Sequence, residues 1–284
     1  MTQCLISAAV LAHHVTDPDW IILDCRHDLM NPGWGREAFA AGHIPGAQFA
    51  SIDDDLSSAK TATDGAFRGR HPLPAPEQFI GTLQRWGINH DSHVVAYDAH
   101  GGMFASRLWW MLRWIGHAQV RVLDGGLAAW QMAPGTVSTE QLARPAGNIT
   151  RKAALVAAVS AQDVLANLAS RAAIVLDARA PDRFRGENET IDPVGGHIPG
   201  ARNRFFKDNL LPNGHFKSAS ELQAEFSSLI PSAAASIMQC GSGVSACHNL
   251  LALEVAGMPG AKLYPGSWSE WCADPARPVA TGAA

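Results

Sequence analysis

Positive charge is the first thing this 284-residue chain lacks: 22 Lys and Arg stand against 26 Asp and Glu, a formal net charge of −4. Neutralisation of phosphates by Lys and Arg supplies most nonspecific affinity for nucleic acid, so nucleic acid is not an expected partner. Long apolar runs are missing too. The opening stretch MTQCLISAAVLAHHVTDPDW has no basic lead, and His13 and His14 interrupt its apolar residues. It reads as neither a secretory signal nor a membrane span, and the expectation is a cytoplasmic protein with no membrane partner. Cysteine is sparse and unpaired in pattern: Cys4, Cys25, Cys240, Cys247 and Cys272 are odd in number, widely scattered and without a C-x-x-C pair. That argues against a disulfide framework and against a structural zinc site. Free thiols in a reducing compartment are expected, and no metal.

What is present is a composition able to bury cores, 47% hydrophobic and 17% charged, in a chain long enough for two domains. An internal repeat divides it. SAAVLAHHVTDPDWIILDCR (7–26) aligns without a gap with SAQDVLANLASRAAIVLDAR (160–179), and GHIPGA recurs at 42–47 and 196–201. VVAYDAHGGMFASRLWWMLRWIG (94–116) parallels SIMQCGSGVSACHNLLALEVAG (236–257) in pattern. VRVLDGGLAAW (120–130) parallels AKLYPGSWSEW (261–271) in the same way. A period this long marks tandem domains rather than a solenoid. The reading is a first domain over 1–135, a linker over 136–152 that lacks apolar periodicity, and a second domain over 153–284.

Within each half, short apolar runs of buried-strand type (Trp20–Asp24 and Val94–Tyr97; Ala173–Asp177 and Ser236–Gln239) alternate with helical segments. Ser7 and Ser160 stand where N-caps belong, and Gly116 and Gly257 where helices stop. Alternating strands and helices predict an α/β fold, each domain a mainly parallel sheet flanked by helices on both faces. The tryptophans Trp109, Trp110 and Trp114 fall at helical spacing and read as packing residues.

Chemistry concentrates at QCGSGVSACHN (239–249), where an apolar run ends in Cys240 and two glycines precede a helix. Ligands of open parallel sheets bind beyond the carboxyl ends of strands. A sulfur there faces backbone N–H groups and a helix N-terminus, which favour an anion such as a thiolate or a persulfide. The alternative is a buried core cysteine. The first half carries Asp98 at the equivalent place, so the thiol is not required by the architecture, and only the second half is equipped for thiol chemistry. The loop contains G-x-G-x-x-A, but the acidic residue a ribose needs about 20 positions on is missing, which disfavours a dinucleotide. A C-x5-R phosphatase loop would need arginine where Ala246 stands. Cys247, about 10 Å further along the helix, reads as a core thiol.

These motifs, CGSGVSA at 240–246, GHIPGA twice, DAR with RF at 177–184, DGGLAAW at 124–130 and GSWSEW at 266–271, resemble the tandem-domain rhodanese-like sulfurtransferases, in particular the 3-mercaptopyruvate branch. The resemblance implies a catalytically degenerate first domain, a catalytic second domain with its loop at the interdomain cleft, and no cofactor. It implies that Cys240 takes a sulfane sulfur as a persulfide and passes it to cyanide, a thiol or another thiophilic acceptor, including a thioredoxin-like reductant. Ser242 and His43 would assist proton movement; His43 repeats at His197, so a structural turn role is its alternative. Gly241, Gly243, Val244 and Ser245 would line the donor site, with Arg183 holding the donor carboxylate.

The branch usually carries a second arginine after that one, and the segment from Glu187 to Gly196 contains none. Arg179 and Arg185 are the substitutes, although Arg179 repeats at Arg26. The uncharged Gly241-Ser242-Gly243 loop favours mercaptopyruvate over thiosulfate as donor. Thiosulfate sulfurtransferase activity, or a non-catalytic sulfur-carrier or binding module, are the rival readings.

Overall fold

The computed structural model describes residues 4–133 and 135–283; Met1–Gln3, Pro134 and Ala284 lie outside the described residues. The chain forms two compact units. The first takes in the chain through Ser58, Pro74–Leu155 and Leu210–Phe216; the second takes in Ala59–Leu73, Val156–Asn209 and everything from Lys217 onwards. Each unit thus includes one loop whose sequence lies in the other half of the chain. A simple division into halves does not capture this, and it decides which side chains surround the cysteine.

In the first unit β1 (Leu5–Ile6), α1 (Ala8–Ala12), β2 (Trp20–Asp24), α2 (Trp34–Ala41) and β3 (Gln48–Phe49) come before the loop at 59–73. After it follow α3 (Pro76–Arg85), β4 (His93–Tyr97), α4 (Ala105–Trp114), β5 (Val120–Leu123) and α5 (Gly126–Met132). The second unit repeats this with β6 (Ala157–Ala158), α6 (Ala161–Ser170), β7 (Ile174–Asp177), α7 (Pro181–Arg185) and β8 (Arg202–Asn203). It continues with α8 (Ala219–Leu229), β9 (Ser236–Gln239), α9 (Ser245–Val255), β10 (Lys262–Leu263) and α10 (Ser267–Trp271). The two sheets have orders β1-β5-β4-β2-β3 and β6-β10-β9-β7-β8, parallel throughout, so the duplication read in the sequence is also a duplication of topology.

The physical reasons are local. Strand β2 is buried at all five positions and β9 at all four, as parallel strands covered on both faces must be. Trp20 and Ile22 with Val95 and Tyr97 share one face of the first sheet and pack with Leu11, Phe39 and Trp130. Val175 and Ile237 do the same in the second with Phe184, Trp268 and Trp271. Ser7 accepts from the Val10 amide, and Ser160 forms a capping box with Asp163. Gly116 and Gly257 follow α4 and α9 with φ of 89° and 71°. Trp109 and Trp110 are buried on α4, as their spacing predicts.

Candidate active site

The centre of each sheet is one strand, β4 or β9, and the loop leaving its carboxyl end is the place to look for chemistry. In the second unit that loop is 240–244. It is stitched to the turn before α10: the Cys240 amide donates to Ser267 Oγ (3.1 Å), the Trp268 amide to the Cys240 carbonyl (2.9 Å) and the Ser269 amide to the Gly241 carbonyl (2.9 Å). Gly243 has φ of 77°, and a Cβ there would stand 2.3 Å from the Pro265 carbonyl oxygen, so no side chain fits. This conformation turns the Gly243 N–H onto Cys240 Sγ at 3.2 Å. The Cys247 thiol donates to the Gly243 carbonyl (3.3 Å), so Cys247 braces the loop from within α9.

The first unit shows what such a loop holds when the cysteine is absent. Asp98 is fully buried, and its carboxylate accepts four backbone N–H groups: His100 (2.7 Å) and Gly102 (2.9 Å) on Oδ1, Phe104 (2.7 Å) and Ala105 (2.9 Å) on Oδ2. The Leu127 amide donates to the Asp98 carbonyl, as Trp268 does to that of Cys240. The first of the two repeated loops is therefore an anion nest occupied by a carboxylate, and the second turns one backbone amide onto a sulfur in the matching position.

Three polar side chains converge on the Cys240 loop, and two of them come from residues 59–73. His71 Nδ1 lies 2.8 Å from Ser242 Oγ. A Cβ on Gly241 would meet Arg70 Nη2 at 2.6 Å and Arg183 Nη2 at 3.7 Å, so the bare Cα lets two guanidiniums approach the loop. Arg183 donates through Nε and Nη2 to Glu189 (Nη2 to Oε1, 2.8 Å), and through Nη2 to Asp192 Oδ2 (3.3 Å). Arg70 pairs with Asp192 Oδ1. Burial would raise the Glu189 carboxyl, but hydrogen bonds from Arg183 and from the Asp192 and Ile191 amides leave it below its ordinary value. At Asp192 burial prevails over Arg70 and pushes the carboxyl up.

His43 lies in the first unit, fully buried, with Nδ1 2.8 Å from the Phe39 carbonyl, Nε2 3.0 Å from the Glu140 carbonyl and its ring stacked on Phe39. Its repeat partner His197 stacks on Phe184 with Nδ1 2.9 Å from the Phe184 carbonyl. Both are turn-holding residues, and the histidine beside Ser242 is His71. Arg179 is a strut: Nε and Nη2 grip Asp177, and Nη2 also donates to the Gly196 carbonyl (2.7 Å). Arg26 repeats this with Asp24 and the Gly42 carbonyl. Arg185 forms a partly exposed pair with Glu187. Gly241, Gly243, Val244 and Ser245 all lie buried in the loop or at the start of α9. Cys25 and Cys272 are core thiols; burial pushes Cys25 well up and Cys272 up to about 11.

The missed residues are Arg70 and His71. Their signal is the basic cluster Arg68-Gly69-Arg70-His71; the other repeat has Lys217-Ser218-Ala219-Ser220 after the matching phenylalanine and keeps only the first of those basic residues. Its membership of the second unit follows only from tertiary structure.

A rhodanese-like domain model matches residues 7–133 and again 160–274. A protein of Pseudomonas aeruginosa named "Probable 3-mercaptopyruvate sulfurtransferase" is 44% identical over 98% of this chain and 98% of its own length. One of Mycobacterium tuberculosis named "Putative thiosulfate sulfurtransferase SseB" is 43% identical over 99% and 98%. The crystal structure of the mercaptopyruvate enzyme SseA from Escherichia coli superimposes with a TM-score of 0.80 at 35% identity, covering 94% of this chain and all of that one. The chain belongs to the rhodanese-like family. Its full-length relatives place it, within that family, among the tandem-domain sulfurtransferases.

The geometry of Gly243 generates a test. Gly243→Ala has to relieve both the left-handed φ and the Pro265 contact, at about 1–3 kcal/mol of strain. Displacing the Cys240 loop should lower sulfurtransferase kcat/KM by about 100-fold. A wild-type rate in steady-state assay would show that the turn does not position the thiol.

Proposed function

We propose that this sulfurtransferase takes sulfur from 3-mercaptopyruvate and carries it as a persulfide on Cys240. The observation that supports the reading best is the convergence on one loop of a sulfur facing an amide, a serine–histidine pair and two arginines. The Cys240 thiolate attacks the donor sulfur; the S–S bond forms as the C–S bond breaks, and its electron pair leaves on the pyruvate enolate. The proton of the donor thiol moves to the enolate carbon, giving pyruvate, and Ser242 with His71 is the relay for it. Cyanide or a thiol then attacks the outer sulfur and restores the thiolate. A thioredoxin-like reductant suits the same step, and five buried cysteines outside any disulfide suit a cytoplasmic setting.

Arg70 and Arg183 together supply the pair of guanidiniums missing from the segment after Arg183, which fits a carboxylate-bearing donor. Thiosulfate is the second reading, since relatives carry that name and two arginines can attract a dianion. Against it stands local neutrality: Arg70, Arg179 and Arg183 are matched by Asp177, Glu189 and Asp192.

Side by side, kcat/KM for mercaptopyruvate should exceed that for thiosulfate by at least about tenfold; parity would contradict the donor assignment. In the same assay His71→Ala should cut kcat by about 10²–10³. His43→Ala should lower thermal stability and leave kcat of the folded fraction within about threefold. Equal kcat losses would remove His71 from the relay.

A further inference from the structure

The segment after Arg183 lacks an arginine and holds instead a carboxylate whose position repays attention. Asp192 belongs to the loop between α7 and His197, a loop that closes on itself so tightly that a Cβ on Gly186 would stand 2.9 Å from the Gly196 nitrogen. Its side chain is buried, and its two oxygens go to different guanidiniums, Oδ1 to Arg70 and Oδ2 to Arg183. These are the two arginines whose Nη2 atoms a Cβ on Gly241 would meet. Glu189 is fixed otherwise. It is gripped by Arg183 Nε and Nη2 and by Arg179 Nη1, and it accepts the Ile191 and Asp192 amides. Glu189 is thus a framework residue. Among the described residues, the hydrogen bonds of the Asp192 carboxylate run to the two guanidiniums that border the cysteine loop.

We propose that Asp192 is a specificity-determining residue that occupies, between Arg70 and Arg183, the seat of the donor's anionic group. An incoming anion reaches both arginines only by displacing the Asp192 carboxylate. A donor carboxylate replaces it like for like, one negative charge and two oxygens toward the same pair of guanidiniums. A dianion gains less, because the three arginines of the cluster already face three carboxylates and the displaced one stays nearby. The selectivity for a monoanionic donor that the bare glycine loop suggests is then built by an internal competitor. This rests on the reading of Cys240 as the sulfur carrier only for its kinetic consequence; the competition for the arginines is independent of it.

The test therefore has two arms. Inorganic sulfate, titrated calorimetrically at constant ionic strength, should bind Asp192→Asn and Asp192→Ser about tenfold or more tighter than wild type. The gain should vanish when Arg183→Gln is added. Two neutral variants are used so that a folding defect in one does not decide the result, and circular dichroism identifies the folded protein. In steady state, the preference for mercaptopyruvate over thiosulfate should narrow about tenfold in the same variants. Unchanged or weaker sulfate binding in the folded variants would overturn the proposal and make Asp192 a strut that holds the arginines in place. Tighter sulfate binding without any mercaptopyruvate turnover would uphold the internal competitor and defeat the donor assignment instead.

Discussion

Everything distinctive about this molecule depends on backbone N–H groups turned toward one side chain at the end of a central parallel strand. In the first unit that side chain is the Asp98 carboxylate, satisfied by four amides. In the second the Gly243 amide points at the Cys240 sulfur in the matching loop. The sheet, its cover of helices and the glycine turn all serve to present these dipoles, and the amides need no side-chain charge to do so. One physical device is filled by a carboxylate in one copy of the duplicated domain and faces a thiol sulfur in the other. The carboxylate fills its nest permanently, whereas the sulfur in the same position is the atom proposed to gain and lose a cargo that is itself anionic.

The second constraint is charge balance. The loop carries no cation, and the nearest guanidiniums arrive from Arg70 and Arg183. They arrive already engaged, through Asp192 and Glu189. Such a cluster holds long arginine side chains in fixed positions at little net charge, so what it offers a ligand is geometry and bidentate donors more than a field. The Asp24–Arg26 and Asp177–Arg179 pairs use the same chemistry for a different purpose, tying a strand end to the following turn through the Gly42 and Gly196 carbonyls.

Much of this was legible in the sequence because it is local. The apolar runs, the N-cap serines, the glycines that end α4 and α9, and the cysteine loop between strand and helix are all written in contiguous residues. The repeat made the fold class readable twice. His43 stands out in the sequence because GHIPG is local as well. Its histidine is conspicuous in both halves, and in both it braces its own turn. Arg70 and His71 were not legible because the compact unit they belong to is not the contiguous half that contains them. Asp192 was visible only as a missing arginine; that a carboxylate would bridge two cations from distant segments is a property of the folded chain.

The most direct measurement of the central claim is the mass of Cys240 after the protein has met a donor with no acceptor present. Wild type incubated with 3-mercaptopyruvate and analysed by intact and peptide mass spectrometry should gain about one sulfur atom on the peptide carrying Cys240. The gain should disappear on addition of cyanide and should never form in Cys240→Ser. A sulfur found on another cysteine, or none with either mercaptopyruvate or thiosulfate, would contradict the assignment of Cys240 as the atom that carries the cargo.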